Sequence, residues 1–267
     1  MIGAMAAVQK TRLDLFLVAL QLSESQDMAQ RLIRAHQVLV NDRIQSKPGF
    51  LCKQSDQIRI KTPTHSYVSR GALKLEGALE QFGLSVSDRV ALDIGISTGG
   101  FTDLLCRRNA RYVFGVDVGY GLVAMSLRQS KKVILLERTN ARHLTLAQLE
   151  SAATRQKIPT QVAHDISLLV IDVSFISVVT ILTQLHLFLT PGTDCLVLIK
   201  PQFEAPKHLI PPGGVIQDTK IQRDVLSHTC DQIKALGYEQ VKETASSITG
   251  TKGNQEYVVW FRVLAND

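Results

Sequence analysis

A buried strand that runs directly into a glycine-rich turn constrains this chain more than any other feature. Residues 90–94 read Val-Ala-Leu-Asp-Ile, and Gly95, Gly99 and Gly100 follow before an apolar, helix-like segment that reaches Leu105. Glycine has no Cβ, so backbone N–H groups of such a turn can approach a ligand closely. The pattern predicts a nucleotide-like cofactor at the first strand of a doubly wound α/β domain.

The spacing of the glycines distinguishes two kinds of cofactor. A dinucleotide fingerprint reads G-x-G-x-x-G, whereas this turn reads D-x-G-x-x-x-G-G and begins at Asp93. An acid beside the turn repels a pyrophosphate but attracts a cationic sulfonium or ammonium group. The sequence therefore favours S-adenosylmethionine over NAD. A turn that serves only tight packing is the alternative.

The next two strands also point to a cofactor. Residues 111–117 form a second strand, which is apolar between Arg111 and Asp117, and an acid at this position hydrogen-bonds ribose hydroxyls in folds of this kind. Residues 133–137 form a third strand that leads to Asn140, which we expect at the adenine edge or the ribose. The expected cofactor-binding residues are Asp93, Gly95, Ser97, Thr98, Gly99, Gly100, Asp117, Asn140 and Asp172.

Composition limits the class of protein. A chain of 267 residues with 45% hydrophobic residues can form one large core and a small module. It has no apolar run long enough to span a membrane and no apolar signal-peptide segment, so we expect neither a membrane partner nor secretion. The four cysteines form no Cys-x-x-Cys pair, which predicts no metal, no disulfide and a cytoplasmic location. The oligomeric state is left open.

The first quarter of the chain is basic. Residues 1–66 hold nine Lys and Arg against five Asp and Glu, which is most of the net charge of +6. The pattern there predicts a helix over residues 12–22 and a second helix from a Ser23–Gln26 capping box to Ala35. Short strands are expected at 38–40 and 58–60. A basic module of this size indicates a polyanionic partner, most simply nucleic acid.

This quarter resembles the alpha-L RNA-binding module of ribosomal protein S4 and many pseudouridine synthases. The resemblance is carried by Arg-Leu-Asp at 12–14, Ala-Gln-Arg-Leu-Ile at 29–33, Val-Leu-Val-Asn at 38–41 and Lys-Pro-Gly at 47–49. It departs at His36 and Asp42, where the family has glycine. A solvated basic face without RNA is the alternative. The basic residues expected to bind RNA are Arg12, Arg31, Arg34, Arg43 and Lys47.

Two charged residues directly follow apolar strands in the second part of the chain. Asp172 follows Leu-Val-Ile, and Lys200 follows five apolar residues from Cys195. The carboxyl ends of parallel strands share one edge of a sheet, so these side chains should meet near the cofactor. A lysine at the rim of a core is costly without a partner or a function. A purely structural ion pair is the alternative.

The order of these segments resembles the FtsJ-type ribose methyltransferases, and nearly the whole chain resembles the TlyA family. The matching strings lie at residues 67–74, 93–102, 115–119, 136–142, 172–177, 200–204 and 253–256. The resemblance implies a catalytic tetrad of Lys74, Asp172, Lys200 and Glu256. It implies methyl transfer to a cytidine ribose 2′-hydroxyl in ribosomal RNA or assembled ribosomal subunits.

These expectations give a domain plan and a hypothesis for the chemistry. Residues 1–61 form the alpha-L type module, 62–67 the linker, and 68–267 a Rossmann-like, FtsJ-like methyltransferase domain of α/β class. Lys200, flanked by the ammonium of Lys74, would act as a base or stabilise the forming oxyanion. The loop 211–214, Pro-Pro-Gly-Gly, would contact RNA or cover the cofactor.

Three other functions are compatible with parts of this sequence. The chain could bind RNA without catalysis, and binding of S-adenosylmethionine would separate that function from the enzyme. It could be a membrane-active haemolysin, since TlyA-like proteins have carried that name, but no membrane span or basic amphipathic helix supports it. It could methylate a protein or a small molecule, but that function would not explain the basic N-terminal module.

Overall fold

The computed structural model describes residues 10–34, 37–60, 66–250 and 252–265 of the chain. The chain divides into two compact units, Met1–Ser66 and Tyr67–Asp267. This boundary falls within the predicted 62–67 linker, although residues 62–65 of that linker lie outside the described part, as do Ala35 and His36. The assignment of separate roles to 1–61 and 68–267 stays a prediction.

The first unit is a small α/β module. Its elements in chain order are β1 (Lys10–Arg12), α1 (Leu13–Ala19), α2 (Gln26–Arg34), β2 (Val38–Val40), β3 (Arg43–Gln45), β4 (Leu51–Lys53) and β5 (Ile58–Ile60). β1 and β4 pair antiparallel, and β2 is the central strand of a second sheet, between β3 and β5.

A buried carboxylate joins the two helices of this unit. Asp14 is fully buried at the start of α1, and its oxygens accept hydrogen bonds from Arg12 and from the amides of Gln26 and Gln30 in α2. The Arg12 guanidinium, 2.8 Å away, holds the pKa of the Asp14 carboxyl far below its ordinary value. These bonds satisfy a charge that would otherwise be expensive to bury.

The sequence predicts the strands of this unit better than its helix ends. Strands at 38–40 and 58–60 are confirmed, but the first helix covers only Leu13–Ala19. The predicted Ser23 capping box is wrong, because the Ser25 hydroxyl accepts the hydrogen bond from the Met28 N–H. The Ser23 hydroxyl instead donates to the Ser25 carbonyl. Ser25 directly precedes α2, so its hydroxyl is closer than that of Ser23 to the unpaired N–H groups of the first helical turn.

The second unit alternates strands and helices, as the predicted α/β class requires. Its elements are α3 (Gly71–Phe82), β6 (Val90–Ile94), α4 (Gly100–Arg107), β7 (Tyr112–Val116), α5 (Met125–Arg128), β8 (Val133–Leu136), α6 (Leu146–Arg155), α7 (Gln161–His164), β9 (Ile166–Ile171), α8 (Val178–Leu185), β10 (Asp194–Ile199), α9 (Pro201–Glu204), α10 (Thr219–Lys234), β11 (Tyr238–Ala245) and β12 (Tyr257–Val263).

These strands form one seven-stranded sheet in the order β11-β12-β10-β9-β6-β7-β8. The five strands from β10 to β8 are parallel, and each is nearly or wholly buried because helices cover both faces. Separate apolar cores lie on the two faces of the sheet. This arrangement confirms the predicted Rossmann-like architecture.

The direction of β12 determines which charged residues meet at the edge of the sheet. β12 runs antiparallel to β10, and Tyr257 at its start pairs with Ile199 at the end of β10. The start of β12 therefore lies at the same edge as the carboxyl ends of the parallel strands. Glu256, one residue before β12, is thereby placed beside Lys200, one residue after β10.

Candidate functional site

Two lysines and two carboxylates form a continuous row at this edge. The Lys200 Nζ lies 2.6 Å from Asp172 Oδ1, and the Lys74 Nζ lies 2.6 Å from Glu256 Oε2 and 4.0 Å from Asp172 Oδ2. Asp172 therefore lies between the two ammonium groups. The structure brings all four predicted tetrad residues together, although their catalytic roles stay predictions.

Burial makes this row chemically unusual. Lys200 and Glu256 are 6% and 3% exposed, and the Lys74 side chain is 12% exposed. Charges at such depth need partners, and each ammonium here has a carboxylate oxygen at hydrogen-bond distance. Lys200 also donates a hydrogen bond to the Ser174 hydroxyl at 3.2 Å. The row can orient a hydroxyl group by hydrogen bonding, and its ammonium groups can stabilise negative charge that forms on the hydroxyl oxygen.

The glycine turn lies next to the row because β6 neighbours β9 in the sheet. Gly95 follows β6 with φ +86°, and a Cβ there would collide with the Asp172 carbonyl oxygen. Its N–H donates to the Val116 carbonyl, while the Asp172 N–H donates to the Ile94 carbonyl. The turn is thus fixed to both neighbouring strands, and only glycine fits at its first position.

A cavity of about 430 Å³ opens beside this turn and contains most of the predicted cofactor residues. Asp117 accepts hydrogen bonds from the N–H groups of Ser97, at 2.8 Å, and Gly119, at 2.7 Å. These two bonds fix its carboxylate at the cavity wall. The predicted residues that line the cavity are Gly95, Ser97, Asp117, Asn140 and Asp172.

Asp93 lies behind the turn, at a smaller cavity of about 110 Å³ that Thr98 and Gly100 also line. Its Oδ2 accepts a hydrogen bond from the Thr102 hydroxyl at 2.7 Å, and its buried Oδ1 has no partner in the described part of the chain. Burial raises the pKa of this carboxyl to about 7, and Asp172 and Asp117 add to the rise. An unpartnered buried carboxylate is suited to a cationic group.

The residues present fit S-adenosylmethionine. The molecule carries a ribose diol, for which Asp117 offers a fixed carboxylate, and a cationic amino acid portion, for which Asp93 offers an unpartnered oxygen. Both cavities include Gly95, Ser97 and Asp172, so one extended ligand could occupy them together. The size of the larger cavity is within the usual range for small-ligand sites.

The high pKa of Asp93 predicts a specific dependence of stability on pH. Between about pH 4 and pH 7 the unfolded chain has lost this proton, whereas the folded protein keeps it, so the free energy of unfolding falls as pH rises. Asp93→Asn should remove that fall, which is on the order of a few kcal/mol. Urea unfolding of the cofactor-free protein and variant at about pH 4.5, 6 and 7.5 measures it. The prediction is contradicted if the free energies of unfolding of the wild type and of Asp93→Asn change equally with pH.

Gly99 requires glycine for a reason that differs from the one expected at a cofactor turn. It has φ +99° and caps α4, and a Cβ there would collide with the Leu127 side chain. Gly99 is absent from the linings of the cavities beside the turn. We therefore expect substitution of Gly99 to act mainly through its left-handed backbone conformation, since the end of the Leu127 side chain can move aside. Its contact with the cofactor stays a prediction.

All four residues of the row line a second cavity, of about 630 Å³, which borders the first and shares Asp172 and Phe175 with it. The aromatic wall of this second cavity was missed from the sequence. Phe175 is 89% exposed and has φ +66°, and its ring centroid lies 5.0 Å from that of Phe203. Lys200 Nζ lies 5.8 Å from the Phe203 centroid. The available signal in the sequence was Phe175 itself, an aromatic residue in the loop that follows β9 and Asp172.

The residues predicted to bind RNA lie on the first unit, and all five are exposed. Several already contact neighbours in that unit: Arg12 pairs with Asp14, Arg31 with Asp27 at 2.5 Å, and Arg34 donates to Gln30. Arg43 and Lys47 form no ion pair within the described residues. Their role in RNA binding stays a prediction.

Known families match both units. Residues 67–263 match the FtsJ-like methyltransferase family, and residues 11–58 match the S4 domain. A methyltransferase of this family and fold uses S-adenosylmethionine, so the predicted cofactor is confirmed, and the chain is an enzyme. Among the described residues, no helix is both long and apolar enough to cross a membrane.

Individual relatives extend the match to nearly the whole chain. The 16S/23S rRNA (cytidine-2′-O)-methyltransferase TlyA of Mycobacterium tuberculosis is 38% identical, covering 95% of this chain and 90% of that protein. Hemolysin A of Brachyspira hyodysenteriae is 35% identical, covering 94% and 99%. A solved structure of a hemolysin-named protein from Streptococcus thermophilus is 33% identical, with TM-score 0.71, covering 97% and 90%. The chain belongs to the TlyA family of FtsJ-like methyltransferases.

Proposed function

We propose that this protein transfers a methyl group from S-adenosylmethionine to the ribose 2′-hydroxyl of a cytidine in ribosomal RNA. The buried row of Lys200, Asp172, Lys74 and Glu256 carries this proposal, because it lines a cavity with an aromatic wall and meets the adjoining cofactor-sized cavity at Asp172. The TlyA relative named as an rRNA (cytidine-2′-O)-methyltransferase supports the choice of substrate.

The reaction needs a nucleophilic oxygen and a place for its proton. S-adenosylmethionine supplies a methyl group already activated by its sulfonium. A ribose hydroxyl is a weak acid. Lys200 therefore accepts the hydroxyl proton after losing its own, or as an ammonium it stabilises the negative charge that develops on the oxygen. Asp172 holds both lysines, and Glu256 fixes Lys74 from the other side. Alignment of the hydroxyl with the methyl group accounts for much of the remaining acceleration.

The aromatic wall gives the acceptor base a place to lie. A nucleotide must leave its stack to present one hydroxyl to a buried row, and enzymes that extrude nucleotides commonly hold the base against aromatic side chains. Phe175 offers an exposed ring next to Phe203 in the cavity that contains Lys200. We infer that the acceptor base packs on this pair.

The first unit supplies affinity for RNA in this proposal. Its basic surface and its match to the S4 domain support contact with ribosomal RNA, to which Arg12, Arg31, Arg34, Arg43 and Lys47 would contribute. We also propose that assembled ribosomal subunits present the RNA and that the protein works in the cytoplasm. The unpaired thiols of Cys52, Cys106, Cys195 and Cys230 are typical of a reducing compartment.

Transfer of a tritiated methyl group tests the function directly. The protein is incubated with labelled S-adenosylmethionine and with large or small ribosomal subunits from cells that lack this enzyme, and the RNA is digested to nucleosides. We expect label in 2′-O-methylcytidine, identified by mass. Label on a base or on ribosomal protein would contradict the proposal. Binding of both cofactor and RNA without any transfer would leave only an RNA-binding protein.

A further inference from the structure

The second cavity, which would receive the acceptor nucleotide and is called the acceptor-side cavity from here on, contains one more cation than its carboxylates balance. Three lysines and two carboxylates line it: Lys74, Lys200, Lys252, Asp172 and Glu256. Lys74 and Lys200 each have a carboxylate oxygen at 2.6 Å. Lys252 is exposed and forms no ion pair within the described part of the chain. It lines this cavity and is absent from the lining of the cofactor cavity.

Gly250, Gly253 and Asn254, which flank Lys252 in a turn, are hydrogen-bonded to one another, whereas the neighbouring Thr251 lies outside the described residues. The Gly250 N–H donates to the Asn254 carbonyl at 2.9 Å, and the Gly253 N–H donates to the Gly250 carbonyl at 2.8 Å. A Cβ at Gly250 would collide with the Glu256 carboxylate. Gly250 therefore lies directly against Glu256 of the row.

Asn254 fixes this turn to a second loop of the same cavity. It is 4% exposed, its Oδ1 accepts from the Ile216 N–H at 3.0 Å, and its Nδ2 donates to the Gly214 carbonyl at 2.8 Å. Gly214 also lines the acceptor-side cavity. Of the two roles expected for the loop 211–214, contact with RNA is therefore favoured over covering the cofactor.

The chemistry of the acceptor places a phosphate near this turn. The 2′-hydroxyl of a nucleotide within a chain neighbours the oxygen that carries the 3′-phosphate. A cavity that receives the hydroxyl must also accommodate that anion, and its two buried lysines are already paired with carboxylates. We propose that Lys252 binds a phosphate of the acceptor RNA strand beside the nucleotide to be methylated. This inference rests on the proposed function.

The salt dependence of the Michaelis constant for RNA tests this contact. With ribosomal subunits and saturating S-adenosylmethionine, log KM is measured against log salt for wild type, Lys252→Gln and Lys252→Arg. A lost phosphate contact lowers the slope by about 0.7 for a single-stranded segment. We expect this reduction in Lys252→Gln, with a raised KM for RNA and little change in kcat. Lys252→Arg should restore the wild-type slope.

Lys131→Gln provides the matched control. Lys131 is exposed and precedes β8, at the amino ends of the parallel strands and away from the candidate site. Lys131→Gln removes the same positive charge as Lys252→Gln but far from the site. Its slope of log KM against log salt should therefore equal that of the wild type. Equal slopes in Lys252→Gln and wild type would overturn the inference, as would equal reductions in both glutamine variants. Absence of transfer by the wild type would instead refute the proposed function.

Discussion

Lys200→Ala is expected to abolish methyl transfer while S-adenosylmethionine still binds. Lys200 lines the acceptor-side cavity and is absent from the lining of the cofactor cavity, so its removal leaves the cofactor contacts in place. Loss of a general base typically costs about 100- to 10,000-fold in rate. The tritium assay on ribosomal subunits measures the rate, and titration calorimetry measures cofactor affinity. Transfer at the wild-type rate would refute the role of Lys200.

A second ion pair on the same strand controls for lost stability. Removing Lys200 leaves Asp172 with only Lys74, at 4.0 Å, and breaking a buried pair typically costs about 3–5 kcal/mol. Asp194, at the opposite end of β10, is also mostly buried and pairs with Arg89 at 2.8 Å and with Arg262 at 3.1 Å, so it too keeps one cation when the other is removed. Arg89→Ala should lower the melting temperature comparably and keep kcat. If both variants lose transfer in proportion to stability, the effect is structural.

Lys200→Arg separates the two chemical roles that fit Lys200. Arginine retains a positive charge and hydrogen-bond donors but does not lose its proton in proteins, so it cannot act as a base. Substantial transfer by the variant would therefore assign Lys200 to charge stabilisation. Loss equal to that of Lys200→Ala would favour proton acceptance, because the arginine still offers donors to the acceptor oxygen.

The sequence predicts half of the row from physical reasoning alone. Asp172 and Lys200 each follow an apolar strand, and neighbouring parallel strands bring such residues to one edge. Glu256 lies at the start of a strand, and its position at this edge requires β12 to run antiparallel. The apolar residues at 257–261 do not reveal whether their strand runs parallel or antiparallel to its neighbour. Lys74 lies on a helix before the sheet, so the grouping of Lys74 and Glu256 into one tetrad depended on family resemblance.

Other features depend on contacts that a sequence does not encode. The glycines at 95 and 99 look alike in the sequence, yet one lies against a backbone carbonyl and the other against Leu127. Phe175 is exposed and has a left-handed backbone conformation, and hydrophobic periodicity reveals neither property. A pattern thus predicts buried strands and their charged ends, whereas three-dimensional packing decides which side chains face a cavity.

Gly95→Ala is expected to eliminate both cofactor binding and methyl transfer. Its Cβ would collide with the Asp172 carbonyl oxygen, so the backbone of Asp172 must move. That movement displaces the carboxylate paired with Lys200 and changes a wall shared by the cofactor and acceptor cavities. A displacement of about 1 Å in a reactive geometry can cost on the order of 100-fold in rate. We expect a loss of at least this size in transfer, and calorimetry should detect no saturable cofactor binding.

Gly192→Ala separates the collision from simple backbone strain. Gly192 has φ +83°, close to the +86° of Gly95, but nothing lies within 4 Å of a Cβ built there. Both alanines carry the cost of a left-handed conformation, about 1–2 kcal/mol. Only Gly95→Ala adds a collision with the site. Gly192→Ala should therefore lower the melting temperature while cofactor affinity and transfer stay at wild-type values. Equal losses of cofactor affinity in the two variants would show that strain, rather than the position of Asp172, explains the effect.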